Sequence, residues 1–223
     1  MTKKLFWEAM GKFVLGVLLV ALLLFWPAGT LAYAKGWLFM GLLFLPMFAA
    51  GLVMMCKNPA LLRSRLAAKE KQKEQSLIVK LSGLMFLLGF LAAGFSHRFD
   101  WFPLPNSVSA VASVTFLLSY LLYAEVLREN TYLSRTIEVQ KDQQVISTGL
   151  YGIVRHPMYS ATLLLFLSMP LILGSLISFL IFLFYPVLIV KRLKEEESFL
   201  RKELPGYEEY TKKVTYRLIP FIW

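Results

Sequence analysis

One stretch of the chain decides its fold. Residues 156–190 read HPMYSATLLLFLSMPLILGSLISFLIFLFYPVLIV, which is 35 residues without an aspartate, glutamate, lysine or arginine. As a single helix this run would be about 52 Å long, whereas the hydrocarbon layer of a bilayer is about 30 Å thick. A Gly-Ser pair lies near its middle at 174–175, with Pro170 one turn earlier, and such residues interrupt helices. The run therefore predicts a membrane hairpin made of two helices, 161–173 and 176–190.

The rest of the chain also favours a membrane. It is 57% hydrophobic and only 17% charged, with a mean hydropathy of +0.60, which is unlike a soluble domain. Four more uncharged runs, each close to the length of a membrane span, precede the hairpin at 13–34, 36–56, 81–97 and 102–124. They predict four transmembrane helices, at about 13–26, 37–55, 77–96 and 108–127. We therefore expect an all-α fold, a polytopic integral membrane helical bundle of about six transmembrane segments, divided into 1–127 and 128–223.

The charge distribution predicts an orientation. The chain has 24 Lys and Arg against 14 Asp and Glu, a formal charge of +10. If residue 1 is cytoplasmic, 22 of the 24 cations fall on the cytoplasmic side and only Lys35 and Arg98 fall outside. Both termini are therefore expected in the cytoplasm, with basic patches facing membrane lipids. The charge requires no nucleic acid, and no obligate protein partner is predicted.

Several classes of site are excluded by residue usage. One cysteine, Cys56, and two distant histidines, His97 and His156, make neither an internal disulfide nor a metal site. Neither GxGxxG nor GxxxxGK[ST] occurs, so a soluble dinucleotide fold and a P-loop have no support.

Two water-facing segments flank the hairpin, and any chemistry is expected there. The first, 128–157, alternates polar and apolar residues over 136–139 and 144–147, which is typical of a small β-hairpin or an ordered loop. The second, 191–223, predicts an amphipathic helix over 191–204, a break at Pro205 and Gly206, and a short helix over 207–213.

The first candidate cluster is GLYGIVRHPMY, residues 149–159, at the mouth of the hairpin. Polar groups at this depth are costly unless they are paired or functional. A structural interpretation is also available: Arg155 reaches lipid phosphates, His156 lies at the interface and Pro157 begins a helix.

The second candidate cluster is the glutamate run 195–197. Pairs four residues apart with Lys191, Arg192 and Arg201 would explain all three carboxylates as a solvated helix face. Consecutive helix positions point about 100° apart, however, so at least one carboxylate must turn towards the membrane side.

These elements together resemble a known family. The chain has a Gly-x-Tyr-x-x-x-Arg-His-Pro-x-Tyr motif at 149–159, an apolar hairpin, and Glu-Glu-x-x-Leu at 196–200. Gly-Tyr-Glu-Glu-Tyr at 206–210 and Ile-Pro-Phe-Ile at 219–222 follow. This order resembles the isoprenylcysteine carboxyl methyltransferase and phospholipid methyltransferase superfamily of integral membrane enzymes, over about 130–223.

The resemblance implies a cytoplasmic pocket for S-adenosylmethionine, with S-adenosylhomocysteine as product, and a lipophilic acceptor from the bilayer. That acceptor could be an isoprenylcysteine carboxylate, a phospholipid headgroup, or another lipid-like acid, amine or thiol. Implied catalytic residues are Arg155 and Glu196, and no metal is implied. The implied cofactor-binding residues are Gln143, Val145, Ile146, Gly149, Tyr151, Arg155, His156, Pro157, Tyr159, Glu196 and Glu197.

Two alternatives stay open. A membrane sterol or steroid reductase that uses NADPH would have a related helical plan at this end of the chain. A non-enzymatic membrane protein is the other alternative, although the uncharged spans argue against an ion relay.

Overall fold

The computed structural model describes residues 3–66, 73–130, 132, 139–140 and 142–223, and it is a bundle of helices. Within those residues no β-strand occurs, apart from one isolated bridge between Pro103 and Ser175. The all-α, polytopic fold predicted from the sequence is therefore confirmed. The helices are α1 (Lys3–Ala28), α2 (Ala34–Lys57), α3 (Pro59–Leu66), α4 (Lys73–Phe99), α5 (Asn106–Glu129), α6 (Pro157–Ile172), α7 (Leu176–Phe182), α8 (Phe184–Glu203) and α9 (Tyr207–Lys213).

Length and composition identify the helices that can cross a membrane. Helices α1, α2, α4 and α5 are long and apolar enough to do so, as is the α7–α8 pair taken together, while α6 is apolar but only 16 residues long. Many large apolar side chains on these helices point outwards, including Leu15 at 66% and Leu118 at 59% exposure. Such a surface suits lipid rather than water. The protein is an integral, multi-pass membrane protein.

The predicted hairpin turn is present. Helix α6 ends at Ile172, and Gly174 takes the left-handed conformation with φ of 73° that glycine adopts without steric cost. The side chain of Ser175 then caps α7 by accepting the backbone N–H of Ser178 at 3.1 Å. The Ser175 hydroxyl also donates to that of Ser96 in α4 at 2.8 Å, which fixes the turn against the bundle.

The second arm of the hairpin differs from the prediction. A span over 176–190 followed by a separate amphipathic helix over 191–204 is wrong, because α8 continues without a break from Phe184 to Glu203. The interruption falls earlier, at Leu183. Pro186 has no N–H to donate to the carbonyl of Phe182, so the hydrogen-bond ladder is broken there, whereas Pro186 itself is tolerated in the first turn of α8. One helix therefore runs from the apolar span into the charged segment.

Two smaller segments also differ from the sequence prediction. Helix α3, over Pro59–Leu66, was not predicted, since an eight-residue helix gives little periodic signal. Of the alternating segments that suggested a β-hairpin, 136–138 lie outside the described residues, and 143–147 have no regular secondary structure.

Helix α4 and the hairpin form the centre of the bundle. Helix α5 packs along α6, α1 packs along α4, and α4 contacts α7 and α8. Phe39, Phe116 and Phe182 are fully buried in one continuous core. This packing holds the end of α5, the start of α6 and the charged part of α8 close together. The division at residue 127 stays a prediction.

Candidate active site

The two segments that flank the hairpin meet in one recess. Its walls come from the loop 143–146, the 3-10 turn Gly149–Gly152, the first turn of α6, the charged part of α8, and α9. Counting its open mouth, the recess encloses about 840 Å³ of space between its atoms. Its lining comprises Asn130, Tyr132, Gln143, Gln144, Val145, Ile146, Tyr151, Arg155, His156, Met158, Tyr159, Arg192, Glu196, Leu200, Leu204, Tyr207 and Tyr210.

Beneath the recess lies a buried carboxylate, Glu197, which is 4% exposed. Its Oε1 accepts from Nε of Arg155 at 2.7 Å and lies 3.3 Å from Nε2 of His156. Its Oε2 accepts from Nε of Arg217 at 3.1 Å. A buried charge is tolerated only when it is paired and hydrogen-bonded, and Glu197 meets both conditions. We call Glu197, Arg155, His156 and Arg217 the carboxylate hub.

Arg155 joins the hub to the chain beyond α9. Its guanidinium Nη1 donates to the carbonyls of Val214 at 3.0 Å and Thr211 at 3.3 Å. Its backbone N–H donates to the carbonyl of Tyr216 at 2.9 Å, and the next N–H, of His156, donates to that of Arg217 at 2.9 Å. The Arg-His pair thus ties the start of α6 to the segment 211–217. Pro157 follows as the first residue of α6, as the structural interpretation of the motif predicted.

A second polar group faces the recess itself. The hydroxyl of Tyr159 donates to Oε2 of Glu196 and accepts from Nε of Arg192 at 3.1 Å. Tyr159 belongs to the first turn of α6, and the other two side chains lie on one face of α8, four residues apart. Of the glutamate run, Glu196 therefore contributes a carboxylate to the recess wall, and Glu195 turns to α4, where Nε2 of Gln75 donates to it at 2.5 Å.

Two side chains, one at the end of α5 and one on α9, fix the position of Tyr151 in the recess wall. The side-chain amide of Asn130 donates to the Tyr151 hydroxyl at 3.0 Å, and the hydroxyl of Tyr210 donates to the Tyr151 carbonyl at 2.7 Å. Glu129 accepts the backbone N–H of Leu150 at 2.9 Å. Asn130, directly after α5, and Glu129, its last residue, thus determine where the 3-10 turn lies.

Gly149 allows that contact. Its φ is 53°, and a Cβ atom at this position would overlap the carboxylate of Glu129. Glycine is therefore required here for both backbone conformation and space.

Two tyrosines of α9 remain neutral donors over the physiological range. Burial, followed by the negative charges of Glu197 and Glu196, raises the pKa of Tyr207. Burial also raises the pKa of Tyr210. The Tyr207 hydroxyl lies 3.5 Å from Nε2 of His156, at the edge of hydrogen-bonding distance. Both rings contribute polarisable aromatic surface to the recess without adding charge.

Most of the residues expected from the sequence are brought together by the fold. The recess is lined by Gln143, Val145, Ile146, Tyr151, Arg155, His156, Tyr159 and Glu196. Three others do not line it: Gly149 lies behind the wall against Glu129, Pro157 begins α6, and Glu197 lies under the floor. The structure thus gives these three supporting positions, and the ligand contacts of all eleven residues stay a prediction.

Other lining residues were not anticipated as site residues. Arg192 could have been found, because it lies four residues before Glu196 and so shares its helix face. Tyr207 and Tyr210 belong to the motif at 206–210 but had been given no role. Met158 and Leu200 also lie within quoted motifs without having been given a role. The remaining additions carry no local signal, since only the fold brings them to the recess: Asn130, Tyr132, Gln144 and Leu204.

Comparison with known proteins finds similarity over part of the chain. Residues 108–205, from α5 to just beyond α8, match the phospholipid methyltransferase family. Two curated relatives are Delta(14)-sterol reductases: TM7SF2 of Mus musculus, 34% identical over 91 residues, and that of Methylotuvimicrobium alcaliphilum, 28% identical over 93 residues. Each match covers 40% of this chain but only 22% of the relative, so the chain spans about a fifth of their length. The resemblance noted in the sequence is thus confirmed over residues 108–205, less than half of the chain, which match a family of the integral membrane isoprenylcysteine and phospholipid methyltransferase superfamily.

Proposed function

We propose that the protein is an S-adenosylmethionine-dependent methyltransferase that acts on a lipophilic acceptor from the membrane. The observation that carries this proposal is the recess, in which the two segments flanking the hairpin combine aromatic rings with the Glu196 carboxylate. The match to the phospholipid methyltransferase family supports the reaction class.

The lining suits this cofactor chemically. Aromatic faces such as those of Tyr151 and Tyr207 stabilise a sulfonium cation, and a carboxylate such as Glu196 binds an amino-acid ammonium group. Val145 and Ile146 offer apolar surface to an adenine ring. When bound, S-adenosylmethionine would supply an activated methyl group.

The protein's own contribution would be positioning. Methyl transfer needs the acceptor atom, the methyl carbon and the sulfur in line, with water excluded. Tyr159, which also accepts from Arg192, holds Glu196 at the wall, and the carboxylate hub fixes Arg155 at the floor of the recess. In this proposal Glu196 orients the cofactor and Arg155 provides a fixed positive charge near the acceptor, which are the catalytic roles expected for them.

The acceptor would reach the recess from the bilayer. Met158 at the start of α6 and Leu200 on α8 give the recess an apolar side next to the spans. A lipid whose head group enters between these helices would keep its chains in hydrocarbon. Because most of the chain's cations lie at this end, we place the recess on the cytoplasmic side.

A second candidate is an NADPH-dependent reductase, favoured by the two Delta(14)-sterol reductase relatives. A 2′-phosphate would require arginine or lysine side chains in the recess. Among the described residues two arginines line it, Arg155 and Arg192, and the guanidinium of Arg155 already bonds to Glu197 and to two carbonyls. The Glu196 carboxylate in the same recess favours a cation over a phosphate.

Isothermal titration of the purified protein in detergent distinguishes the two candidates. We expect saturable heat with S-adenosylhomocysteine and none with NADPH. The reverse result would make the reductase the better proposal, and no heat from either ligand in a folded protein would remove both.

Variants connect binding to the recess. We expect Glu196→Ala or His156→Ala to weaken S-adenosylhomocysteine binding, whereas Glu209→Ala, on the exposed face of α9, should leave it unchanged. Glu195→Ala is a second control, since this carboxylate contacts Gln75 instead of the recess. Equal loss from Glu195→Ala would mean that the glutamate run acts only through its charge.

A further inference from the structure

An exposed apolar turn follows the segment that supports the carboxylate hub. Residues 219–222, Ile-Pro-Phe-Ile, form a tight turn in which the carbonyl of Ile219 accepts the N–H of Ile222 at 3.2 Å. Phe221 is 87% exposed, Ile222 76% and Ile219 49%. A contiguous group of large apolar side chains of this kind marks a surface that contacts a protein or a membrane. We call residues 219–222 the apolar turn.

The apolar turn is held in this exposed shape by the protein. The N–H groups of Leu218 and Ile219 donate to the carbonyl of Trp223 at 2.9 and 3.0 Å, which closes the segment. Phe221 has φ of 65°, a conformation that is rare for a bulky residue. Unfavourable backbone conformations persist where the surroundings impose them, and they concentrate at functional sites.

Neighbouring contacts fix the position of the apolar turn relative to α6, the first arm of the hairpin. The carbonyl of Arg217 accepts the N–H of His156 at 2.9 Å, and that of Leu218 accepts the hydroxyl of Ser160 at 2.5 Å. Leu218 is buried in the same core as the spanning helices, and Trp223 packs against that core. The turn therefore lies beside the first turn of α6.

We propose that the apolar turn inserts into the interfacial region of the bilayer, with Phe221 and Ile222 among phospholipid acyl chains. The turn is joined to the core of the spanning helices through Leu218 and Trp223, which favours lipid over a second protein as its partner. Lys212 and Lys213, exposed at the end of α9, supply positive charge suited to anionic head groups. Arg217, in the hub, lies two residues before this segment, so membrane contact would also anchor the floor of the recess.

Site-directed fluorescence tests the proposal on the full chain. Cys56 is the single cysteine, so Cys56→Ser gives a background without thiols. Phe221→Cys or Ile222→Cys is then labelled with an environment-sensitive fluorophore and reconstituted into vesicles of phosphatidylcholine with a minor fraction of phosphatidylglycerol. Glu209→Cys on α9 is the water-facing control, and Leu164→Cys on α6 is the lipid-facing control.

The expected result is severalfold stronger quenching at 221 and 222 by phospholipids spin-labelled near the head group than at 209, approaching the quenching at 164. Iodide in the buffer should quench position 209 most. Equal behaviour of 221, 222 and 209 would overturn the proposal. Protection of 221 and 222 from both quenchers would also overturn it, because that result indicates a protein interface.

Discussion

At the scale of single residues, the site depends on one buried carboxylate. Glu197 contacts Arg155 and His156 at the start of α6, and Arg217 in the segment beyond α9. Three chain segments distant in sequence are thus joined at one side chain. The glutamate before it, Glu196, belongs to the same helix but lies in the recess wall, so a rotation of about 100° separates a position under the floor from one in the wall.

Glu197→Gln should therefore destabilise the protein strongly. The substitution leaves two guanidinium groups beside a neutral amide, and breaking a buried ion pair costs about 3–5 kcal/mol. The free energy of unfolding in mixed micelles measures this loss, with the exposed Glu208→Gln as matched control. A variant as stable as the control would mean that the hub is not a structural support.

At the scale of elements, the 3-10 turn depends on the end of α5. Glu129 binds the N–H of Leu150, and Asn130 binds the hydroxyl of Tyr151, so two consecutive residues set both the turn and the aromatic wall. Gly149 leaves space for the carboxylate of Glu129. This arrangement connects a membrane helix directly to the recess.

Gly149→Ala should loosen this element more than Gly152→Ala in the same turn. A left-handed backbone costs a non-glycine residue about 1–2 kcal/mol, and the new methyl group would also displace the Glu129 carboxylate. At Gly152 the nearest atom to a new Cβ is the Ser147 carbonyl oxygen at 3.2 Å, and φ is not positive. Hydrogen-exchange mass spectrometry should show faster exchange over 143–152 for Gly149→Ala only. Similar exchange in both variants would contradict the role of Glu129.

At the scale of the whole molecule, α4 packs against four other helices, α1, α6, α7 and α8. Gly94 brings α4 against α1, since a Cβ there would lie 2.5 Å from the carbonyl oxygen of Leu24 and would also meet Pro27. Gly89 likewise brings α4 against α7, since a Cβ at Gly89 would overlap the ring of Phe182. Small residues at these positions let membrane helices approach closely.

Gly94→Ala should destabilise the bundle, because the obstructing atom belongs to the backbone and cannot rotate away. Overpacking of this kind costs about 1–3 kcal/mol. Gly83→Ala on the same helix meets nothing within 4 Å and is the matched control. Unfolding in mixed micelles separates the two variants, and equal stability would contradict the close packing of α1 on α4.

The sequence predicts the spans and the hairpin turn well, because hydropathy and a Gly-Ser pair determine both locally. It does not predict α3, which is too short to show a helical period. It also does not predict that α8 is continuous, because the change from apolar to charged residues was interpreted as a boundary between two helices, although those charged residues favour helix. The lining of the recess was predicted where the motif lies. The sequence did not predict that Glu196 lies in the wall of the recess while Glu197 lies under its floor. That difference depends on how α8 is rotated against α6.

Because α8 is continuous, the apolar span and Glu196 belong to one helix and move together. Glu196 lies six residues beyond Val190, about 9 Å along the same rigid rod. A thinner or thicker bilayer changes the tilt that such a rod adopts to match hydrophobic length. Any change of tilt swings the Glu196 end relative to Tyr159, which is carried by a different helix. If α8 tilted in this way, the distance between Glu196 and Tyr159 would depend on bilayer thickness without any bound effector.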